Sequence, residues 1–284
     1  MTKHPFRSAI ESGASKDEFS KLFSRDVVLL APMLSKPVTG VSQVLNVVGE
    51  AAKIAGPIQY TVEVSDSKQT FLLWKGQMEG VTLEAATILV DGDDGLIRQV
   101  RVLMRSWPVV TLFRNAMYKA LSATLPQNFW ELGPKPADVG SPRKFTPIAL
   151  KPIETAPDIV LHSPILAKSV SGKVQVEEAL RLAHEVQSRS SYTSIIATPD
   201  LLIELFDCDA DGYPMEGMWI QKVSEQGQIY DLTVMLRPYP AVTVLRNMAK
   251  GLAEKRGVLG KEYWELPASS CADEKGSSTV APPR

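Results

Sequence analysis

The sequence predicts an α+β protein made of two tandem copies of one unit, each a curved antiparallel sheet wrapped on helices. Three observations predict it. The segment DVVLLAPMLSKPVTG from Asp26 returns as DIVLHSPILAKSVSG from Asp158, an offset of 132 residues. At that same offset Tyr60-Thr61 meets Tyr192-Thr193, Gly80 meets Gly212, Glu84 meets Glu216, and VLMRSWPVVTLFRN from Val102 meets VMLRPYPAVTVLRN from Val234, without a gap over roughly ninety residues. Within each copy helical periodicity comes first and alternating strand patterns follow, the order of an α+β layer architecture.

The elements of the first copy follow in order. Residues 6–23 read as a helical pair broken near Gly13-Ala14, and residues 26–34 as a strand rich in β-branched and aliphatic side chains. After Gly40 comes a helix of about fourteen residues, with Val41, Val44, Val47, Val48 and Ala51 at helical spacing. Strands are expected near 58–65, 69–79, 81–90 and 97–106, the last two joined by the turn DGDDG at 91–95. A closing helix starts near Pro108, a residue suited to a first turn. FWEL from Phe129 and YWEL from Tyr263 end the two copies after a two-residue shift in spacing, and their tryptophans are expected to latch each copy shut.

The expected organisation is a first domain over 1–132, a linker over 133–157, a second domain over 158–266 and a disordered tail over 267–284. The linker is rich in Pro and Gly, and the tail is small, polar and Pro-rich. Ahead of Asp158 stands KFTPIALKPIETAP, whose prolines argue for an extended segment, so the second domain is expected to lack the N-terminal helical pair. A flexible linker of this length reaches about 25–30 Å, enough for side-by-side domains.

Composition narrows the function classes. Of 284 residues 44% are apolar and 22% charged, and 31 basic against 32 acidic side chains leave a net charge of −1. A nucleic-acid partner is not expected, since such proteins carry a basic face. No apolar stretch is long enough to span a membrane, and the N-terminus has no apolar signal region. Two cysteines, Cys208 and Cys271, make no disulfide framework, so a cytoplasmic location is expected. The acidic run Asp207-Cys208-Asp209-Ala210-Asp211-Gly212 matches the start of a calcium loop, but Met218 holds the place of the bidentate Glu and the flanks read as strands. A solvated hairpin tip is expected there, with Cys208 unreactive because its thiol pKa is raised. His4, His162 and His184 are scattered, and no metal or cofactor is expected.

With HPFRSAIESG at 4–13, the Asp-Val-Val…Pro…Gly run at 26–40, the helix after Gly40 and the Gly-x-Ile hairpin exit before Leu236-Arg237-Pro238, both copies resemble the SnoaL-like branch of the nuclear transport factor 2-like superfamily. The resemblance implies a cone with an apolar pocket at its wide end, two cones packed through their convex sheet faces as an intrachain pseudo-dimer, and leaves a higher oligomer open. It spans isomerases, polyketide cyclases, dehydratases, epoxide hydrolases and binding modules, and fold alone does not choose among them.

Isomerases of the superfamily place a carboxylate base just before the Pro of the first strand; here Ala31 and Ser163 stand there. A second acid belongs at Thr87 and Trp219, so the isomerase dyad is absent from both copies. Alternation puts Leu83, Ala85 and Leu89 with Thr87, and Val100, Val102 and Met104 opposite. The counterparts are Met215, Gly217 and Gln221, then Leu232, Val234 and Leu236. Tyr60 and Tyr192 could offer a hydroxyl. The candidate ligand-binding set is Ala31, Tyr60, Leu83, Ala85, Thr87, Val102 and Met104 in the first copy, and Ser163, Tyr192, Met215, Trp219 and Val234 in the second. Glu84, Glu216, Arg105 and Arg237 fall on the opposite face, where ion pairs are expected. Three functions stay open: binding of a small apolar molecule; an isomerase, lyase or polyketide-cyclase-like activity on a polyketide, terpenoid or steroid-like substrate; and a non-catalytic scaffold.

Overall fold

The computed structural model describes residues 3–66, 69–136 and 154–267. The first copy runs α1 (Pro5–Ser12), α2 (Lys16–Ser20), β1 (Phe23–Leu30), β2 (Val38–Thr39), α3 (Val41–Ala55), β3 (Gln59–Ser65), β4 (Gln69–Met78), β5 (Val81–Asp91), β6 (Ile97–Arg105) and α4 (Trp107–Leu121). The second runs β7 (Thr155–His162), β8 (Val170–Ser171), α5 (Lys173–Val186), β9 (Gln187–Ala197), β10 (Leu201–Ala210), β11 (Tyr213–Val223), β12 (Ile229–Arg237) and α6 (Tyr239–Arg256). The sheet order β3-β4-β5-β6-β12-β11-β10-β9 is a palindrome of the two copies, with β1 parallel to β6 and β7 parallel to β12. Two tandem cones back to back are the expected architecture.

Local chemistry sets the boundaries. Gly13 ends α1 in the left-handed region at φ 65°, which glycine adopts without steric cost, and Ser15 with Glu18 forms a capping box that starts α2. The first strand ends at Leu30, short of the expected 34, because Pro32 has no N–H to continue a ladder and Leu34 N instead donates to Ala31 O in a turn. In the second copy β7 begins at Thr155, inside the expected linker. Pro157 is tolerated because the pairing with β12 slips between Thr155 and Val160, leaving a bulge that needs no donor there. The expected lack of a helical pair ahead of β7 falls on residues outside the described ones, of which only Glu154 stands directly before the strand. Residues 137–153, which hold most of the expected linker, and the tail from 268 lie outside them.

Three apolar clusters form. One fills each cone, and the third lies between the backs of the sheets, where Phe71, Leu73, Ala86, Ile88 and Leu103 meet Leu201, Ile203, Leu205, Met218, Ile220 and Met235. This is the pseudo-dimer, packed convex face to convex face. Ion pairs stud the same face as expected: Glu84 with Arg105 and with Lys75 (3.0 Å), Glu216 with Arg237 (3.1 Å) and, across the copies, with Arg101 (3.1 Å). The β5–β6 register runs unbroken from Glu84 to Val90, so no bulge turns Glu84 inward.

A second seam joins the copies at their closing helices. Trp107 and Tyr239, equivalent residues, stack at 5.6 Å and 14°. Trp107 N donates to Pro164 O and Tyr239 N to Pro32 O, both at 2.7 Å. Trp107 Nε1 donates to Thr243 Oγ1, and Tyr239 OH bonds Thr111 Oγ1, both at 2.9 Å. Arg246 lies over Trp107 (4.1 Å) and Trp264 (5.8 Å), while Arg114 lies over Tyr239 (5.3 Å) and Trp130 (5.9 Å). The ladder Trp130–Arg114–Tyr239–Trp107–Arg246–Trp264 thus runs from one latch tryptophan to the other.

Candidate functional site

The first cone encloses an apolar cavity of about 70 Å³. Of the sequence-derived candidates, Ala31, Tyr60, Thr87, Val102 and Met104 stand on its wall; Leu83 and Ala85 share their strand face but are fully buried in the packing beyond it. Sequence reasoning missed the helical side, Phe6 and Ile10 from α1 with Val48 and Ala52 from α3, and also Trp74. Trp74 sits in a run, Phe71 to Trp74, that is buried on both faces, so alternation there separates no inside from outside.

The polar inventory of this wall is short. Trp74 Nε1 donates to Thr87 Oγ1 at 2.9 Å, which fixes the threonine as acceptor and leaves its own O–H available to a ligand. Burial, reinforced by Glu11 and Glu63 and opposed by Arg7, pushes the Tyr60 phenol far above its usual pKa. Arg7 lies 5.1 Å over its ring, so Tyr60 is a neutral amphipathic wall. No carboxyl lines the cavity.

A groove of about 430 Å³ runs outside, between α1–α2 and α3. Ile10, Val48 and Ala52 line both groove and cavity, and so form the partition between them.

The second cone is tighter, with about 50 Å³ walled by Ser163, Trp219 and Val234 among the candidates. Met215 and Tyr192 are not on its wall. The ring of Phe206 lies on Gly217, where a Cβ would fall 2.1 Å from it, and fills the space between Met215 and Trp219. Tyr192 pairs with Phe206 across β9–β10 and packs at the cluster's edge, its phenol pushed up to about 12 by burial and by Glu204.

Glu204 is the group sequence reasoning passed over. Alternation along β10 sets it on the face of Leu202 and Phe206, the inner face of the second cone. Burial raises its carboxyl above the usual range, against the donation it accepts from Gln221 Nε2.

The remaining motifs resolve structurally. His162 is held by Ser169 Oγ (2.8 Å) and Asp231 (3.3 Å). Asp211 and Gly212 form the β10–β11 tip, with Asp209 Oδ1 accepting from Gly212 N and Lys135 pairing with Asp211 at 2.6 Å. Burial, more than Asp209 and Asp207, pushes the Cys208 thiol up. Among the described residues, no group of three or more His, Cys, Asp or Glu could hold a metal ion, and no helix is long and apolar enough to cross a membrane.

Known structures similar to this chain include a steroid delta-isomerase from Pseudomonas aeruginosa, at 18% identity and TM-score 0.39 over 42% of this chain and 87% of that one. An uncharacterized protein with a cystatin-like fold from Silicibacter pomeroyi matches at 21% identity and TM-score 0.40, over 43% and 88%. An NTF-2 like protein of unknown function from Burkholderia xenovorans matches at 9% and 0.31, over 35% and 76%. No family model and no curated protein matches the chain. Similarity at these values transfers no activity. The architecture itself, a bent antiparallel sheet around a long helix with a parallel first strand, repeated in tandem, is that of the nuclear transport factor 2-like cone.

Proposed function

We propose that the chain binds a small apolar molecule in its first cone, without isomerase-type proton transfer, in the cytoplasm. The observation that carries this reading is the wall: aliphatic and aromatic side chains with two hydroxyls, those of Thr87 and Tyr60, and no carboxyl. Its binding energy comes from buried surface, at about 25 cal/mol per Å². The cavity at rest is smaller than the ~150 Å³ that accepts a benzene ring. A larger ligand therefore enters from the outer groove by displacing Ile10 against Val48 and Ala52, the partition between groove and cavity.

The test is native mass spectrometry of the purified chain for a co-purifying apolar ligand, followed by titration of that ligand against the chain's tryptophan fluorescence, with Trp74→Phe identifying the share that Trp74 contributes. Saturable quenching weakened by Ala52→Phe, which narrows the partition, supports the reading. Quenching unaffected by Ala52→Phe places the ligand elsewhere and overturns it. A second reading, an acid–base enzyme of the isomerase, lyase or cyclase kind, is favoured by one observation, the half-buried Glu204 with its raised pKa on the inner face of the second cone.

A further inference from the structure

We propose that the seam between the two copies holds a second binding site, for a small uncharged polyhydroxylated molecule of monosaccharide size. A cavity of about 300 Å³ lies between the convex faces, walled by Gln69, Gln99 and Arg101 of the first copy and Thr193, Ser194 and Glu216 of the second, over a floor of Ile88, Val90 and Leu205.

The duplication supplies an internal control. The offset of 132 residues maps each of these positions onto the other side of the pseudo-twofold axis. There Gln69 becomes Leu201, Ser194 becomes Val62, and Leu205 and Ile88 become Leu73 and Ile220. Those four apolar residues pack together in the cluster between the sheets. At these four positions the counterpart side is packed by apolar side chains, where this side sets Gln69 and Ser194 beside open space. Arg101, which pairs with Glu216 across the seam, has Thr233 as its counterpart.

The wall also carries an ion pair that bridges the two copies. Arg101 Nε and Glu216 Oε2 lie 3.1 Å apart yet off the hydrogen-bond line, and both are shielded from solvent without an aligned partner. Within the lining Glu216 is paired by Arg101, and Arg237 pairs it from behind the wall, so its charge is already met by the protein. Carboxamides, hydroxyls and a carboxylate alternate donors with acceptors, which suits groups that do both. The aliphatic floor suits the C–H face of a ring. The volume falls at the lower end for small-molecule pockets.

The experiment is isothermal titration of the full chain with myo-inositol, D-glucose and D-ribose, and with glycine as a zwitterionic comparison. Saturable heat with at least one polyol at concentrations up to the order of 10 mM, and none with glycine, is expected. Gln69→Leu with Ser194→Val installs the counterpart residues and should weaken binding at least about tenfold. Arg101→Thr, the single counterpart exchange, is the second variant should the double one fail to fold. Thr87→Val, in the first cone, should leave polyol binding unchanged. No saturable heat, a preference for glycine, or polyol binding that survives the folded counterpart variant overturns the site, whatever becomes of the apolar ligand in the first cone.

Discussion

Replacing Trp130 by Ala tests whether the Trp-Glu-Leu segments latch the cones. The indole is 1% exposed, meets Tyr118 edge-on at 5.2 Å, lies under Arg114 and donates to Leu125 O at 3.4 Å. Burying about 150–250 Å² of ring at ~25 cal/mol per Å² gives roughly 4–6 kcal/mol as an upper estimate. Truncations of buried Phe and Trp lose about 3–5 kcal/mol, cavity included. At roughly 2–4 °C per kcal/mol for a chain of this size, Tm should fall by about 6–20 °C. The backbone bonds that pin the segment, Ser35 N to Phe129 O (2.7 Å) and Arg114 Nη2 to Trp130 O (2.9 Å), are open to alanine, so the loss reports the ring. Trp264→Ala should behave alike, because Trp264 is 2% exposed, donates to Leu259 O at 2.9 Å and has Arg246 donating to its carbonyl at 2.8 Å. The assay is thermal unfolding followed by far-UV circular dichroism, with urea midpoints as a check. A Tm within about a degree of the parent for either variant would refute the latch.

Three further outcomes follow. Trp107→Ala and Arg246→Ala, singly and together in urea, should show a coupling of about 1–2 kcal/mol from the 4.1 Å stacking contact; additive losses would mean the ladder carries no energy. Burial raises the Glu204 carboxyl, so its favourable contribution is complete below the ordinary carboxylate range and is lost as pH rises through the raised value. Glu204→Gln should therefore raise Tm at pH 7 and lose that advantage near pH 4, and an advantage independent of pH would contradict the assignment. Incubated with a Δ5-3-ketosteroid, the chain should form no conjugated enone above buffer; turnover abolished by Thr87→Val would show that the first cone is an enzyme after all.

Much of this was legible because two copies were superimposed in one chain. The four main strands of the first copy lie within a residue or so of their expected ranges, since β-branched alternation and the Gly-rich turns mark them locally. Ala31 and Thr87 came from the positions that the family resemblance marks, and Val102 and Met104 from side-chain alternation; all four line the first cavity. What failed depends on contacts that no local pattern carries. Met215 was misplaced on the cavity wall because a glycine, Gly217, admits a ring from the neighbouring strand. Trp74 and the partition residues of α1 and α3 are set by how deeply the helices sit in the cone. The Trp107–Tyr239 stack arises only when the two copies approach, although the shared offset of its members was present in the sequence throughout.

The covalent join has a physical consequence that a homodimer cannot reach. In a symmetric dimer every substitution occurs twice about the axis. An Arg101–Glu216 pair placed there would desolvate two guanidiniums and two carboxylates and would open the seam on both sides. Tandem copies lift that constraint. Here one half of the seam keeps Val62, Leu73, Leu201 and Ile220 as apolar packing, while the other half accepts Gln69, Ser194 and Arg101. The cones diverge in the same way: Leu72, fully buried in the first, corresponds to the carboxyl of Glu204 in the second. The features kept in both copies are those that hold them shut and together, namely the latch tryptophans, the two arginines and the paired proline carbonyls. Those released from symmetry line cavities or face into a cone, which is the distribution expected if the shared residues maintain the fold and the diverged ones carry recognition.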